Sequence, residues 1–196
     1  MFTMIERVGN TLLVPVRVFS DKIYDVINDE NKSEKEIERI YQKNKITEYL
    51  TFFGSPTEVH PRIFLGSACN AACFNTLKHH NIRFIINVSS EISNYYPDYF
   101  EYHQIKIKDN NNESMYEYFD ESFQKIENFL NDNEGNILIH CFMGASRSAT
   151  VVAKYISKKT GREIISIIKE MKERRNVVNP TQQFLTDLIR EKEEIQ

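Results

Sequence analysis

The sequence predicts an α/β domain, a mostly parallel central sheet flanked by helices, with a helical N-terminal extension. Three observations carry that expectation. From residue 59 onward, short apolar runs alternate with longer segments of helical periodicity. The run Ile82 to Val88 is nearly continuous, as in a strand covered on both faces. Ile137 to Ile139 leads into a loop containing Gly144 and Ser146 that opens onto a further helical segment. A chain of 196 residues, 41% hydrophobic and 27% charged, suffices for one domain with a real core, and two full domains would be crowded.

Residues 1–55 form the extension. Thr11 to Val18 reads as a short strand, confined to an edge by Pro15, or as an extended arm. Ser33-Glu34-Lys35-Glu36 is a capping-box signature, and Ile37, Ile40 and Tyr41 follow at helical spacing, so a helix is expected over 33–50. Its apolar stripe needs a surface to cover, either the rest of this chain or a second copy. The extension is therefore expected to be an arm for docking or for homodimerisation. Gly54-Ser55-Pro56 marks the boundary with a domain over 56–196.

In that domain, 62–66 reads as a strand, Ser67 as an N-cap and 69–80 as a helix. Strands follow over 82–88 and 102–108, the second alternating with Ile105 and Ile107 on one side, before a polar loop over 109–113. Phe119, Phe123, Ile126, Phe129 and Leu130 share one face of a helix over 118–130, and 131–135 is a turn. The helix over 147–159 ends on two lysines and Gly161, a C-terminal signal, and amphipathic helices follow over 163–173 and 181–193.

Composition narrows the partners. A net charge of −3 gives no overall basic field to attract nucleic acid or an anionic membrane surface. No apolar run approaches the ~20 residues of a membrane span, and Glu6, Arg7 and Pro15 do not suit a secretory leader. Three cysteines, two of them (Cys69 and Cys73) in one expected helix, do not suit a disulfide framework, so an intracellular, cytoplasmic setting is expected. Two thiols without neighbouring ligands do not make a zinc site, and packing accounts better for that pair.

The chemistry gathers at Asn136 to Ser148, where a buried strand delivers Cys141 into a tight loop closed by a helix start. Backbone N–H groups curled inward there would form an anion nest, reinforced by the positive end of the helix. A phosphate suits it. The same field favours the thiolate of Cys141, making it a nucleophile. Arg147 offers a planar fork of donors to two phosphate oxygens, and Gly144 lets the turn approach its ligand without a side chain. Cys141 as a mere buried hydrophobe would leave unexplained why His, Cys, Gly, Ser and Arg meet at one junction.

His140-Cys141-x5-Arg147-Ser148 resembles the signature of cysteine-based protein phosphatases. Over roughly 56–189 the chain is similar to their dual-specificity branch, through Arg62-Ile63-Phe64-Leu65-Gly66-Ser67, Ile82 to Val88, Ile105-Lys106-Ile107-Lys108-Asp109 and Ser146-Arg147-Ser148-Ala149-Thr150. The resemblance implies a protein tyrosine phosphatase-like fold and a two-step phosphoryl transfer that requires no metal or cofactor. It makes Cys141 the nucleophile and Asp109 the general acid and then base. Ser148 would stabilise the departing thiolate, and His140 would fix the loop and tune Cys141. Phe142, Met143, Gly144, Ala145 and Ser146, with Arg147, would cradle the phosphate.

Aspartate before three asparagines is also ordinary turn chemistry, and Glu113 is the substitute acid. Departures from the family pattern fall at Asn176, Thr181 and Gln183, where relatives usually carry proline after the arginine pair, and asparagine and glycine after the second proline. The loop has no lysine at Phe142, Met143 or Ala145, whereas relatives acting on phosphoinositides often carry extra basic residues there. A lipid head group or a polyphosphate RNA end is therefore disfavoured. The resemblance implies phosphorylated proteins as substrates, at tyrosine and at serine or threonine, with Phe142 and Met143 as an apolar rim. A phosphoprotein-binding relative that keeps the pocket without turnover is the alternative.

Overall fold

Alternation along the strands sets the layering. A computed structural model describes residues 50–193, with side-chain surroundings to residue 190. The expectations for 11–18 and 33–49 lie outside the described residues. Strands β1 (Thr57–His60), β2 (Ile63–Gly66), β3 (Ile82–Asn87), β4 (Glu101–Gln104) and β5 (Asn136–His140) form a five-stranded sheet in the order β1-β2-β5-β3-β4. Only the β1–β2 pair is antiparallel. The helices are α1 (Ala68–Ala72), α2 (Phe74–His79), α3 (Phe119–Asp132), α4 (Arg147–Thr160), α5 (Ile164–Arg174) and α6 (Gln182–Glu193).

Successive strand side chains point to opposite faces. Ile63, Leu65, Phe84, Ile86, Ile137 and Ile139 accordingly join one core with residues of α3 to α6, among them Ile126, Val152, Ile167 and Phe184. Phe64, Ile85 and Leu138 join a second with Leu77 of α2 and Phe100. Because both faces are covered, the inner strands carry nearly unbroken apolar runs.

The structure departs from the sequence expectation in three places. β1 leaves no sign in the sequence: Val59 is its one buried residue, so no alternation announces it, and it forms because Arg62, at φ 65, turns the chain back on itself. The helix expected over 69–80 breaks at Cys73, which is extended at φ −97, ψ 95. The break lets Leu77 bury fully while Phe74 packs on Tyr96 and Phe100, and two abutting helices leave a periodicity that reads as one. The strand expected over 102–108 stops at Gln104, because its partner β3 ends at Asn87, whose carbonyl takes the N–H of Ile105 at 2.9 Å. Ile105 and Ile107 stay buried beyond that point, and this stretch outside the sheet leads to Asp109.

Ser67 does cap α1, in a reciprocal box with Asn70. Gly161, at φ 68, ends α4 in the left-handed conformation. Arg62 satisfies carbonyls at the end of α3 and in the turn after it, donating to Leu130 O at 2.9 Å, Asn133 O at 2.5 Å and Gly135 O at 2.8 Å. Among the described residues no helix is long and apolar enough to cross a membrane.

Candidate active site

β5 is the central strand, flanked by β2 and β3, and its carboxyl end releases the chain at Cys141. Crevices at the carboxyl ends of parallel strands are where α/β sheets collect ligands. Residues 141–146 form the loop and α4 starts at Arg147, so the positive end of a well-formed helix faces the same space.

The loop's carbonyls from 142 to 145 are engaged from outside. Phe142 O accepts from Ala68 N at 3.0 Å and Ala145 O from Asn179 N at 2.8 Å. Met143 O and Gly144 O accept from Arg175 Nη2 and Nε at 2.9 and 3.0 Å. In a trans peptide the N–H points opposite to the C=O. The N–H groups of Met143, Gly144, Ala145 and Ser146 therefore turn toward the inside of the loop, a nest of the kind that holds anions. Gly144 is required here: its φ is 68, and a Cβ would sit 2.3 Å from Gly66 O and 2.8 Å from Arg175 Nη2.

Cys141 is 1% exposed, and the Ser148 hydroxyl donates to its Sγ at 3.2 Å. Arg147, 3% exposed, grips Glu91 with both terminal nitrogens, Nη1 to Oε2 at 2.8 Å and Nη2 to Oε1 at 2.6 Å, and Nη1 also donates to Ile107 O at 3.1 Å. Its Nε is buried without a hydrogen-bond acceptor, 3.6 Å from Asp109 Oδ2. A buried guanidinium N–H without an acceptor is the donor an incoming phosphate oxygen would take. Burial alone would lower the Arg147 guanidinium, but the negative charges of Cys141, Glu91 and Asp109 more than offset it and hold it above its ordinary value. Burial would likewise raise Glu91, and the contacts with Arg147 instead keep it below the usual carboxylate range.

Asp109 stands at the loop's mouth, its Oδ1 accepting from Ser146 Oγ at 2.8 Å. Ser146 occupies the N-cap of α4 without capping it, its hydroxyl being turned to Asp109. Glu113 is turned back on its own loop, taking the N–H of Lys108 at 2.7 Å. Of the two carboxylates proposed as acid, Asp109 is the one that contacts the loop of Cys141. Phe142 is half-buried and lies 5.4 Å, centroid to centroid, from Phe52, whereas Met143 is buried, so the apolar rim comes from Phe142 and Phe52 rather than from Met143.

His140 is buried, its Nδ1 3.4 Å from Cys141 O and its Nε2 without a partner. Burial, opposed by that carbonyl contact, pushes it down to about 4, so the ring is neutral at pH 7. Between about pH 6.5 and 4 the unfolded chain binds a proton at this position that the folded chain refuses, so stability falls as pH drops through that window. The loss is on the order of 3 kcal/mol at most. Burial also lowers His60, His80 and His103. Urea unfolding of wild type and His140→Asn at pH 7 and pH 4.5 isolates this ring: the variant is expected to lose less stability on acidification, and equal losses would contradict the assignment.

Glu91 and Arg175 were missed by sequence reasoning. Glu91 carries one signal, its place just past the carboxyl end of β3. Arg175, 2% exposed and pushed down to about 10 by burial against the opposing charge of Cys141, looks in sequence like the end of an ordinary basic helix turn. The family departures are all engaged: Asn176 Oδ1 accepts from Thr51 Oγ1 at 3.2 Å, Thr181 N donates to Ser146 Oγ at 3.3 Å, and Gln183 Nε2 donates to Asp187 Oδ1 at 2.9 Å.

Residues 63–194 match the family model of the dual specificity phosphatase catalytic domain. The chain belongs to the dual specificity phosphatase family. It is 30% identical over 191 residues to the human protein phosphatase Slingshot homolog 2, a match covering 93% of this chain and 13% of that one. To dual specificity protein phosphatase 1 of Arabidopsis thaliana it is 32% identical over 133 residues, 68% of this chain and 67% of that one. The crystal structure of human tyrosine phosphatase-like serine/threonine/tyrosine-interacting protein superposes with a TM-score of 0.67 at 29% identity, covering 72% of this chain and 97% of that one. The dual specificity phosphatase domain thus has the tyrosine phosphatase-like fold that the sequence resemblance implied.

Proposed function

We propose that this chain is a protein phosphatase that hydrolyses phosphotyrosine and phosphoserine or phosphothreonine through a cysteinyl-phosphate. Cys141 Sγ attacks phosphorus in line with the ester oxygen, the P–O bond breaks, and Asp109 gives its proton to the departing oxygen. The inward N–H groups of 143–146 and the Nε of Arg147 hold the non-bridging oxygens as charge builds. Asp109, now a carboxylate, takes a proton from water, which attacks the phosphorus. The P–S bond breaks, and the Ser148 hydroxyl meets the returning thiolate. Phosphate leaves and the starting state is restored.

The observation that carries this reading is the single buried cluster of sulfur, inward amides and an Arg147 Nε without an acceptor, with Asp109 at its mouth. The substrate class is supported by family membership and by the apolar rim of Phe142 and Phe52, which suits a peptide side chain better than a multiply charged head group.

Turnover of an aryl phosphate in the presence of chelator tests the reading. Asp109→Asn keeps the acceptor for Ser146 Oγ and removes the transferable proton, so kcat is expected to fall about 10²-fold or more. An unchanged rate would move the acid elsewhere, with Glu113 the next candidate. Activity that vanishes in chelator would contradict the scheme.

A further inference from the structure

The acid loop, residues 108–115, hangs between two supports. At its start, Ile107 O and Asp109 Oδ1 accept from Arg147 Nη1 and Ser146 Oγ at 3.1 and 2.8 Å. At its end, Met115 N and Ser114 Oγ both donate to Asp187 Oδ2, at 2.7 and 3.1 Å. In between the loop bonds to itself, Lys108 N to Glu113 Oε2 and Asn112 N to Asn110 Oδ1.

Asp187 stands on α6 at 3% exposure, and its other oxygen accepts from Gln183 Nε2. The lead-in to the same helix supplies Thr181 N, which donates to Ser146 Oγ. A hydroxyl has one proton; with Thr181 N–H on its lone pair, Ser146 directs that proton to Asp109 Oδ1. The C-terminal helix therefore holds the far end of the acid loop directly, through Asp187, and its lead-in reaches the near end only by way of Ser146.

A buried carboxylate deprived of its donors is costly, so Asp187 resists release of Ser114 and Met115. We propose that Asp187 is a positioning residue for the reaction: it fixes the far end of the acid loop so that Asp109 stands at the departing oxygen. The proposal rests on the phosphatase reading above. A residue that positions the acid matters in proportion to how much the leaving oxygen needs a proton. That dependence separates it from a merely structural residue.

The test compares wild type, Asp187→Ala and Asp187→Asn on phenyl phosphate, whose phenoxide is a poor leaving group, and on 2,4-dinitrophenyl phosphate, whose anion leaves unaided. Asp187→Ala is expected to lower kcat on phenyl phosphate between about 10- and 100-fold and on the dinitrophenyl ester less than about 3-fold, with KM little changed. Asp187→Asn keeps an acceptor for Met115 N and is expected to recover most of the loss. Should the alanine variant fail to fold, Ser114→Ala, which removes one donor from the exposed side, carries the same comparison with a smaller effect in the same direction. Equal losses on both esters, no loss on either, or an asparagine variant no better than alanine would overturn the proposal. A wild-type chain inert toward the dinitrophenyl ester would overturn the phosphatase reading first, before any variant is compared, and this proposal with it.

Discussion

Cys141→Ser is expected to abolish aryl phosphate hydrolysis, by at least about 10⁴-fold, while phosphate or a phosphopeptide still binds. The two side chains are close in size, so the loop, its inward amides and Arg147 should persist around a hydroxyl that Ser148 can still meet. What is lost is a polarisable sulfur, and a hydroxyl with no base beside it cannot replace it. His140 cannot act as that base from where it stands, because its Nδ1 contacts the Cys141 carbonyl rather than the sulfur. Steady-state kinetics paired with calorimetric titration of a phosphopeptide measures both halves. Turnover surviving in the variant would remove Cys141 from the reaction. A wild-type chain that binds the peptide and never releases phosphate would instead establish the binding-module reading.

Arg147→Lys is expected to lower kcat about 10³-fold despite conserving charge. In the proposed reaction arginine does two things at once: its terminal nitrogens are held by Glu91, and its Nε, without an acceptor, is left for the phosphate. A lysine ammonium is a single point that can meet Glu91 or the phosphate, not both, and its buried charge is less well satisfied than a guanidinium's. The loss should fall mainly on kcat, because the Nε contact strengthens as the phosphoryl group flattens between sulfur and oxygen. Rates on a single aryl phosphate with KM and kcat separated check this, and an undiminished kcat would sink the role assigned to Arg147.

Both expectations rest on residues that lie within one short stretch, which is why the amino-acid order by itself discloses them. Cys141, Gly144, Ser146, Arg147 and Ser148 are placed by a loop whose geometry depends on its own backbone and on the strand and helix at its ends. Fold class is readable for a related reason. Ile82 to Val88 and Ile137 to Ile139 belong to the inner strands, where burial on both faces leaves a continuous apolar run, and the long helix α3 carries a full periodic face.

Edges and partnerships are not readable in this way. β1 contributes too little buried surface to leave a pattern, and β4 ends where β3 stops offering it a partner, a limit set by a different strand. Glu91, Arg175 and Asp187 come from the loop after β3, the residue after α5 and the middle of α6, and each acquires its place only when the sheet and helices pack. The amino-acid sequence alone determined the sheet-and-helix architecture and the placing of Cys141 and Arg147 on one loop, because local periodicity and a contiguous stretch encode them. Tertiary structure alone decided what holds that arginine, what braces the loop and which carboxylate contacts it, because hydrogen bonds between segments far apart in the chain leave no local trace.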